Sequence, residues 1–222
     1  EAYDLMLAKK KKSLPLINVK GEVVGMYVHI DVKRIIEGNG ENYNLDANGQ
    51  LRVAAAIGVM DDAFSRLELL VRKHVDVVVI DTAHADSKTV IETLKKAKEK
   101  YSFLDIVAGN ISVGESTKRL IENGADGIRV GQGPGATCTT RIIAGIGRPQ
   151  ISAVYDCVME AQKYDPDFPI NADGGLQYSG DIPLSIAAGA HSVTLGSMLA
   201  GTEEAPGEEI DNYNKLSSLC WS

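Results

Sequence analysis

Residues 168–197 read FPINADGGLQYSGDIPLSIAAGAHSVTLGS, and this stretch decides the fold. It holds two short apolar runs, FPINADGG (168–175) and SVTLGS (192–197), on either side of a segment with helical periodicity, 178–188. Short, near-continuous apolar runs rich in Val and Ile are the pattern of a strand buried on both faces of a parallel sheet. The first run closes on Gly-Gly and the second on Gly-Ser, where a strand gives way to a turn. A βαβ unit in which Ala172-Asp173-Gly174-Gly175 is followed by Leu195-Gly196-Ser197 puts small residues at two adjacent strand ends. Backbone N–H groups approach a phosphate there, as in the site that (β/α)8 barrels build from their last two strands.

Working outward, four more such runs precede it: RVAAAIG (52–58), VDVVVIDTA (75–83), DIVAGN (105–110) and GIRVGQG (127–133). Helical periodicity fills the intervals at 61–74, 87–100, 114–123 and 152–164, several segments opening on Asp or Ser and closing on Asn-Gly or Ala-Gly. This is βα repetition with right-handed crossovers, and its functional residues belong at the carboxyl ends of the strands. Those ends carry Asp81, Thr82 and His84, then Asn110, then a Gly-rich loop, then Asp173-Gly174-Gly175 and Gly196-Ser197. A doubly wound sheet would gather them equally well. The spacing of the last two strand ends favours the barrel, and Gly131-x-Gly133-x-Gly135 is a weak dinucleotide fingerprint because no helix opens directly behind it.

The first 50 residues follow another pattern. Residues 1–12 form an amphipathic helix, 14–18 and 22–29 read as two strands joined by Lys20-Gly21, and 31–36 begins a second helix. The domain boundaries expected are 1–37 for this partial module, 38–50 for a polar linker, 51–209 for the barrel portion and 210–222 for a tail of different character.

Composition narrows the function classes. A net charge of −7 argues against a nucleic-acid surface, and no apolar run is long enough to span a bilayer. Three cysteines without scaffold spacing point to a reducing, cytoplasmic setting. The four lysines at 9–12 read as a solvated face.

Cys138 sits in GQGPGATCTTR (131–141). A thiol reacts as the thiolate, which positive charge, backbone N–H groups and oriented hydroxyls favour. The loop offers all three, and the carbonyls freed by Gly133 and Gly135 suit a monovalent cation. The same pattern also describes a surface turn with an incidental cysteine. Cys157, at a core-facing helical position, and Cys220, in the tail, read as structural or incidental. Asp173 has the chemistry to accept two hydrogen bonds from a vicinal diol, with Gly174 and Gly175 beside it for a phosphate. The stretch 81–86 reads as a cofactor-contacting loop, since one His between two Asp is a thin metal-ligand set.

Together the loop, DTAHAD, ADGG and LGSMLAGTEEAPGE resemble the later part of the barrel of the inosine monophosphate (IMP) dehydrogenase and guanosine monophosphate (GMP) reductase family, over residues 51–209. Residues 1–36 resemble the closing half of a CBS module through EAYDLM, SLPLIN, KGEVVG and Asp31. That module and GTEEAPGE favour the dehydrogenase branch, the reductases being expected to lack CBS insertions. The resemblance implies that Cys138 attacks C2 of IMP, that NAD takes the hydride, and that water releases xanthosine monophosphate with help from Thr140. It further implies potassium on the carbonyls of Gly133, Gly135 and Cys138, ribose on Asp173, and phosphate on Gly174, Gly175, Gly196 and Ser197. Arg129 would lie on the active-site floor, with Asp81, Thr82, Asn110 and Gly131 facing the cofactor, in a homotetramer.

The chain departs from the family's pattern in several places. Ala136 stands where a phosphate-contacting Ser is usual, Ala85 and Ala54 replace glycines, and Val28 replaces the hydroxyl residue three before Asp31. Six βα strands are expected where a barrel needs eight, and EIDNYNKLSSLCWS at 209–222 resembles no family flap, as a prematurely ended or shifted reading frame would leave it. The expected consequence is a dehydrogenase impaired in hydrolysis. The alternatives are a GMP reductase using NADPH and a non-catalytic remnant.

Overall fold

The structure is a computed structural model that describes residues 1–36, 44–59, 61–203 and 205. The tail expected at 210–222 and residues 38–43 of the linker expected at 38–50 lie outside the described residues. Among those residues no helix is long and apolar enough to cross a membrane. The chain divides into two units, 1–52 and 53–222.

In the first unit α1 (Ala2–Ala8) precedes a hairpin of β1 (Ser13–Ile17) and β2 (Val23–Val28), followed by α2 (His29–Ile36). The strands pair antiparallel from Ser13↔Val28, with a bulge between Leu16 and Ile17. Asn18 builds the turn, its Oδ1 accepting from the N–H of Lys20 and of Glu22, an Asx-type closure that frees Gly21 to take φ +82°. The helix expected over residues 1–12 ends at Ala8, because Lys10 turns to φ 50° and Lys11 N–H bonds back to Met6.

The second unit alternates β3 (Ala54–Ile57), α3 (Asp61–Arg72), β4 (Val77–Asp81), α4 (Lys88–Lys100), β5 (Asp105–Ile111), α5 (Gly114–Glu122), β6 (Gly127–Val130), α6 (Thr140–Ile143), α7 (Gln150–Ala161), β7 (Ile170–Asp173), α8 (Asp181–Ala187) and β8 (Ser192–Thr194). The six strands pair in parallel and in chain order, β3-β4-β5-β6-β7-β8. This is the curled half-barrel sheet of a partial (β/α)8 barrel, and all six apolar runs become its strands.

Alternation along these strands makes two unlike faces. Val78, Ile80, Ile106, Ala108, Ile128, Val130, Ile170 and Ala172 are buried almost completely and pack under the helices. Burying each of the larger ones removes enough apolar surface to stabilise the fold by roughly 1.5–3 kcal/mol. The helices answer at i, i+3, i+4 spacing with Val90, Leu94 and Ala97 of α4 and Ala153, Val154, Cys157, Val158 and Ala161 of α7. Burial on both strand faces was the expectation from sequence, and here the structure differs. The second face carries Val79, Arg129, Asn171 and Asp173, each only partly buried. It is this second face that holds the polar residues of the site.

Helix ends also depart from the sequence pattern. Pro149 stands at the N-cap of α7, so that helix starts two residues before the expected 152. The start of α8 moves instead to Asp181, whose carboxylate accepts from the N–H of Gln177 and Tyr178 and holds those residues in a turn.

Candidate active site

The strand register brings the site together. Asp81 pairs with Gly109, Gly109 pairs with Arg129, and Asp173 lies two residues beyond Arg129's own partner Asn171. All therefore project from one face at neighbouring strand ends. Arg129 reaches Asp81 by crossing over Gly109, where a Cβ would stand 2.5 Å from Arg129 Cβ. Its Nη1 lies 2.9 Å from Asp81 Oδ2 and its Nη2 3.0 Å from Asp173 Oδ2. Charge from Asp173 and Asp81 outweighs the burial that opposes ionisation and raises the guanidinium above its ordinary value.

Asn110 adds a second layer. Its Nδ2 donates to Asp173 Oδ2 at 2.7 Å and to Gly131 O at 2.8 Å. Gln150, opening α7, does the same for the backbone, its Nε2 donating to Val130 O at 2.8 Å and Asp173 O at 3.1 Å. Each amide commits its donors and leaves its carbonyl oxygen, Asn110 Oδ1 or Gln150 Oε1, buried with no partner among the described residues. Gly131 has to be glycine here, since at φ +151° a Cβ would stand 1.9 Å from Asp173 O.

The Gly-rich loop leaves β6 at Gly131 and returns through Arg148. Cys138 is half-buried in it, and its Sγ lies 3.3 Å from Thr140 Oγ1. The Thr140 hydroxyl, then the Thr140 N–H, hold the thiol below its ordinary value; burial opposes them, while the Gly133 N–H and the Arg141 charge assist. Cys157 is the opposite case: burial pushes its thiol up to about 11.

Loop and strand ends enclose a cavity of about 360 Å³. Cys138, Asp173, Gly174–Gly175, Gly196–Ser197, Arg129 and Asn110 line it together with Gly131, Gly133 and Gly135. Asp81 and Thr82 are not in its lining. Asp81 is half-exposed beside it and held by Arg129, whereas the Thr82 hydroxyl donates to Gly109 O at 3.0 Å and serves the strand end. The loop after β4 is likewise fastened rather than open. Asp86 accepts from Ser116 and forms a close pair with Arg119, and His84 Nδ1 lies 2.9 Å from Gln132 Nε2. No group of three His, Cys, Asp or Glu suited to a metal occurs among the described residues. For potassium the donor set is neutral backbone oxygen, the type that replaces the hydration shell of a monovalent cation. One of the three expected carbonyls, Gly135, already accepts from the Cys138 N–H at 3.0 Å, so it offers only its second lone pair.

Sequence reasoning missed Gln132, Gln150, Arg141 and Arg148. No local motif marks them, because their partners lie on other strands or across the loop.

The family model described as IMP dehydrogenase / GMP reductase domain matches residues 6–217. That match runs past residue 209, where the reading from sequence ended the resemblance. Inosine-5'-monophosphate dehydrogenase of Bacillus subtilis (strain 168) is 47% identical over 208 residues, covering 94% of this chain and 42% of the relative. The enzyme of Halalkalibacterium halodurans is 50% identical over 208 residues, with the same shares. Among solved structures, a cysteine-to-alanine variant of GMP reductase from Trypanosoma brucei superposes with a TM-score of 0.79 at 40% identity, covering 94% of this chain and 46% of that one. The same enzyme in complex with guanosine 5'-monophosphate gives a TM-score of 0.78. The chain thus spans less than half the length of these relatives. Coverage of 94% of 222 residues leaves too few unmatched to exclude residues 1–52, so the N-terminal module matches a reductase too and does not separate the two branches. The family model, the curated relatives and the shared fold agree: the chain belongs to the IMP dehydrogenase / GMP reductase family.

Proposed function

We propose that this site carries the thiol chemistry of an IMP dehydrogenase. The observation that carries the proposal is Cys138 beside Thr140 at a cavity ringed by Asp173, Gly174–Gly175 and Gly196–Ser197. The diol of the ribose hydrogen-bonds to Asp173, and the phosphate lies on the backbone N–H groups of the paired glycines and of Gly196-Ser197. The Cys138 thiolate adds to C2 of the purine, forming the S–C2 bond as the C2=N3 π pair moves to N3. NAD, when bound, would take the hydride from C2, and the C2=N3 bond re-forms. Water oriented by the Thr140 hydroxyl then adds to C2, one proton passing to solvent and the other to N3, and the S–C2 bond breaks to return the thiolate and release xanthosine monophosphate.

For NAD the residues fit at one point. Asp81 is 46% exposed next to the cavity and can accept from a ribose hydroxyl, while Asn110 and Gly131 bound the same side. The Gly133 and Cys138 carbonyls and the second lone pair of Gly135 would hold potassium, which would stiffen the loop that carries the thiol. A homotetramer belongs to the same proposal. The expected reaction with IMP and NAD is a stoichiometric NADH burst that leaves a nucleotide adduct on Cys138, read by intact mass. No burst and no adduct would remove the proposal.

The similarity to GMP reductase favours a second reading, reductive deamination of GMP with NADPH. Ammonia release from GMP, with no NADH from IMP, would select it.

A further inference from the structure

We infer that Ser112 is the positioning residue that holds the Cys138 loop and the loop after β4 in one fixed relation, gripping the first by both of its legs and the second through Gln132. The inference rests on the reading of this site as an IMP dehydrogenase centre and adds to it two residues outside the cavity lining.

Ser112 directly follows β5 and is 8% exposed. Its hydroxyl donates to Gln132 Oε1 at 2.6 Å, and its carbonyl accepts from Arg148 Nη1 at 2.6 Å. Gln132 stands where the Gly-rich loop opens and Arg148 where it closes, so one residue grips both legs. The legs also hold each other, the Arg148 N–H donating to Gln132 O at 3.2 Å. Asp156 of α7 backs this neck: its Oδ2 lies 2.7 Å from Arg148 Nη1 and accepts from the Gly114 N–H at 3.0 Å. Between the legs the chain runs through Gly133, Gly135, Gly145 and Gly147. A segment so rich in glycine has much conformational freedom to lose, and fixing its two ends removes a large part of it.

The position of the neck is passed on to the thiol. Arg141, in the single turn of α6, donates from Nη2 to Arg148 O at 2.6 Å. Its arm fills a slot between two glycines, since a Cβ on Gly133 would stand 2.7 Å from Arg141 Cγ and one on Gly147 would stand 2.6 Å from it. The same turn begins at Thr140, whose Oγ1 lies 3.3 Å from Cys138 Sγ.

Gln132 supplies the other half. Its Oε1 takes the Ser112 hydroxyl, which leaves Nε2 to donate to Ala83 O at 3.1 Å and to meet His84 Nδ1 at 2.9 Å. The reverse orientation of the amide would set its oxygen against the Ala83 carbonyl, acceptor against acceptor. Ala83 and His84 belong to the loop after β4, on the side where Asp81 is assigned to the cofactor. The supports of the thiol and of the cofactor side are thus joined at one buried hydroxyl. Groups that react with each other need that kind of fixed mutual placement.

The test is hydrogen–deuterium exchange of the intact chain, read in peptides covering 133–147 and 82–86, with α4 as the reference for global stability. Ser112→Ala is expected to quicken exchange about two- to tenfold in both segments, the worth of one hydrogen bond, and to leave α4 at the parental rate. Gln132→Met does the same, and the double variant is no faster than either single one because both remove the same link. Gln132→Glu separates the halves: it keeps the acceptor for Ser112 and loses the donor to Ala83, so only 82–86 quickens. Ser112→Thr keeps the hydroxyl and the parental rates. If the Ser112 variants also quicken α4, the two Gln132 variants make the comparison alone. With IMP and NAD, Ser112→Ala should slow the NADH burst about tenfold and raise the half-saturating concentration of NAD. That of IMP stays unchanged, since IMP is assigned to the ends of β7 and β8. A parent that gives no burst removes the proposed reaction and leaves the exchange comparison to decide this inference. Parental exchange in Ser112→Ala with α4 intact, additive effects in the double variant, quickening of 133–147 in Gln132→Glu, or an equal rise for IMP and NAD would overturn it.

Discussion

Arg129 on β6 bridges the carboxylates of Asp81 on β4 and Asp173 on β7, and it does so by passing over Gly109 on the strand between them. Three strands are thus tied through one guanidinium. Arg129 and Asp173 are 21% and 19% exposed, whereas Asp81 is 46% exposed. Removing the arginine strands a largely buried carboxylate. Arg129→Met should cost about 2 kcal/mol in urea unfolding, below the full penalty of a buried ion because water reaches the site. Asp81→Asn, at the exposed end, should cost under about 1 kcal/mol. Equal losses from the two variants would show that the bridge does not discriminate between its ends.

Thr140 is the largest influence lowering the Cys138 thiol. Thr140→Val removes the hydroxyl that supports the thiolate and keeps the shape, so the pH profile of Cys138 alkylation should move to higher pH. The rate falls at pH 7 and is unchanged above pH 10. A profile superimposable on the parent would mean that the 3.3 Å contact is incidental.

Asp86, 11% exposed, is held well below the usual carboxylate range, first by its hydrogen bond with Arg119 and then by Ser116 against opposing burial. A carboxylate with a lowered folded pKa contributes stability that is fully present above its unfolded value and is lost as pH falls through the folded one. The chain should therefore lose stability on acidification below about pH 4. Asp86→Asn should cost about 1–2 kcal/mol at pH 7 and flatten that acid limb, measured by thermal unfolding across pH 3–7.

Gly131→Ala forces a Cβ to within 1.9 Å of Asp173 O. Backbone has to move, which should cost at least about 2 kcal/mol and open the Asn110 and Gln150 bridges. Gly58→Ala is the control, as a Cβ there meets nothing within 4 Å. Parity between the two in chemical denaturation would falsify the close approach.

The six strands were legible in the sequence because burial under the helices forces Val and Ile into short runs, and the fold class followed from their βα alternation. The site was legible where its chemistry is carried by strand-end residues in sequence order: Cys138, Asp173, Gly175 and Ser197 do share one cavity. The Thr82 hydroxyl, expected at the cofactor, is taken by the neighbouring strand's Gly109 carbonyl, a use that a hydroxyl after a strand serves as readily as a ligand contact. Gln150 was invisible for a different reason. Its partners, Val130 O and Asp173 O, lie 20 and 23 residues away and meet only once β6 and β7 are paired. Arg141 is similar, since the slot between Gly133 and Gly147 exists only after the loop has closed.

The two amides that brace the strand ends have a consequence for stability. Asn110 and Gln150 give their N–H groups to Gly131 O, Val130 O, Asp173 O and Asp173 Oδ2, and each keeps a buried carbonyl oxygen with no donor among the described residues. A buried acceptor without a donor is a standing cost of about 1–3 kcal/mol. This end of the sheet therefore gives up stability to fix Asp173, which Asn110 holds by its carboxylate and Gln150 by its backbone carbonyl.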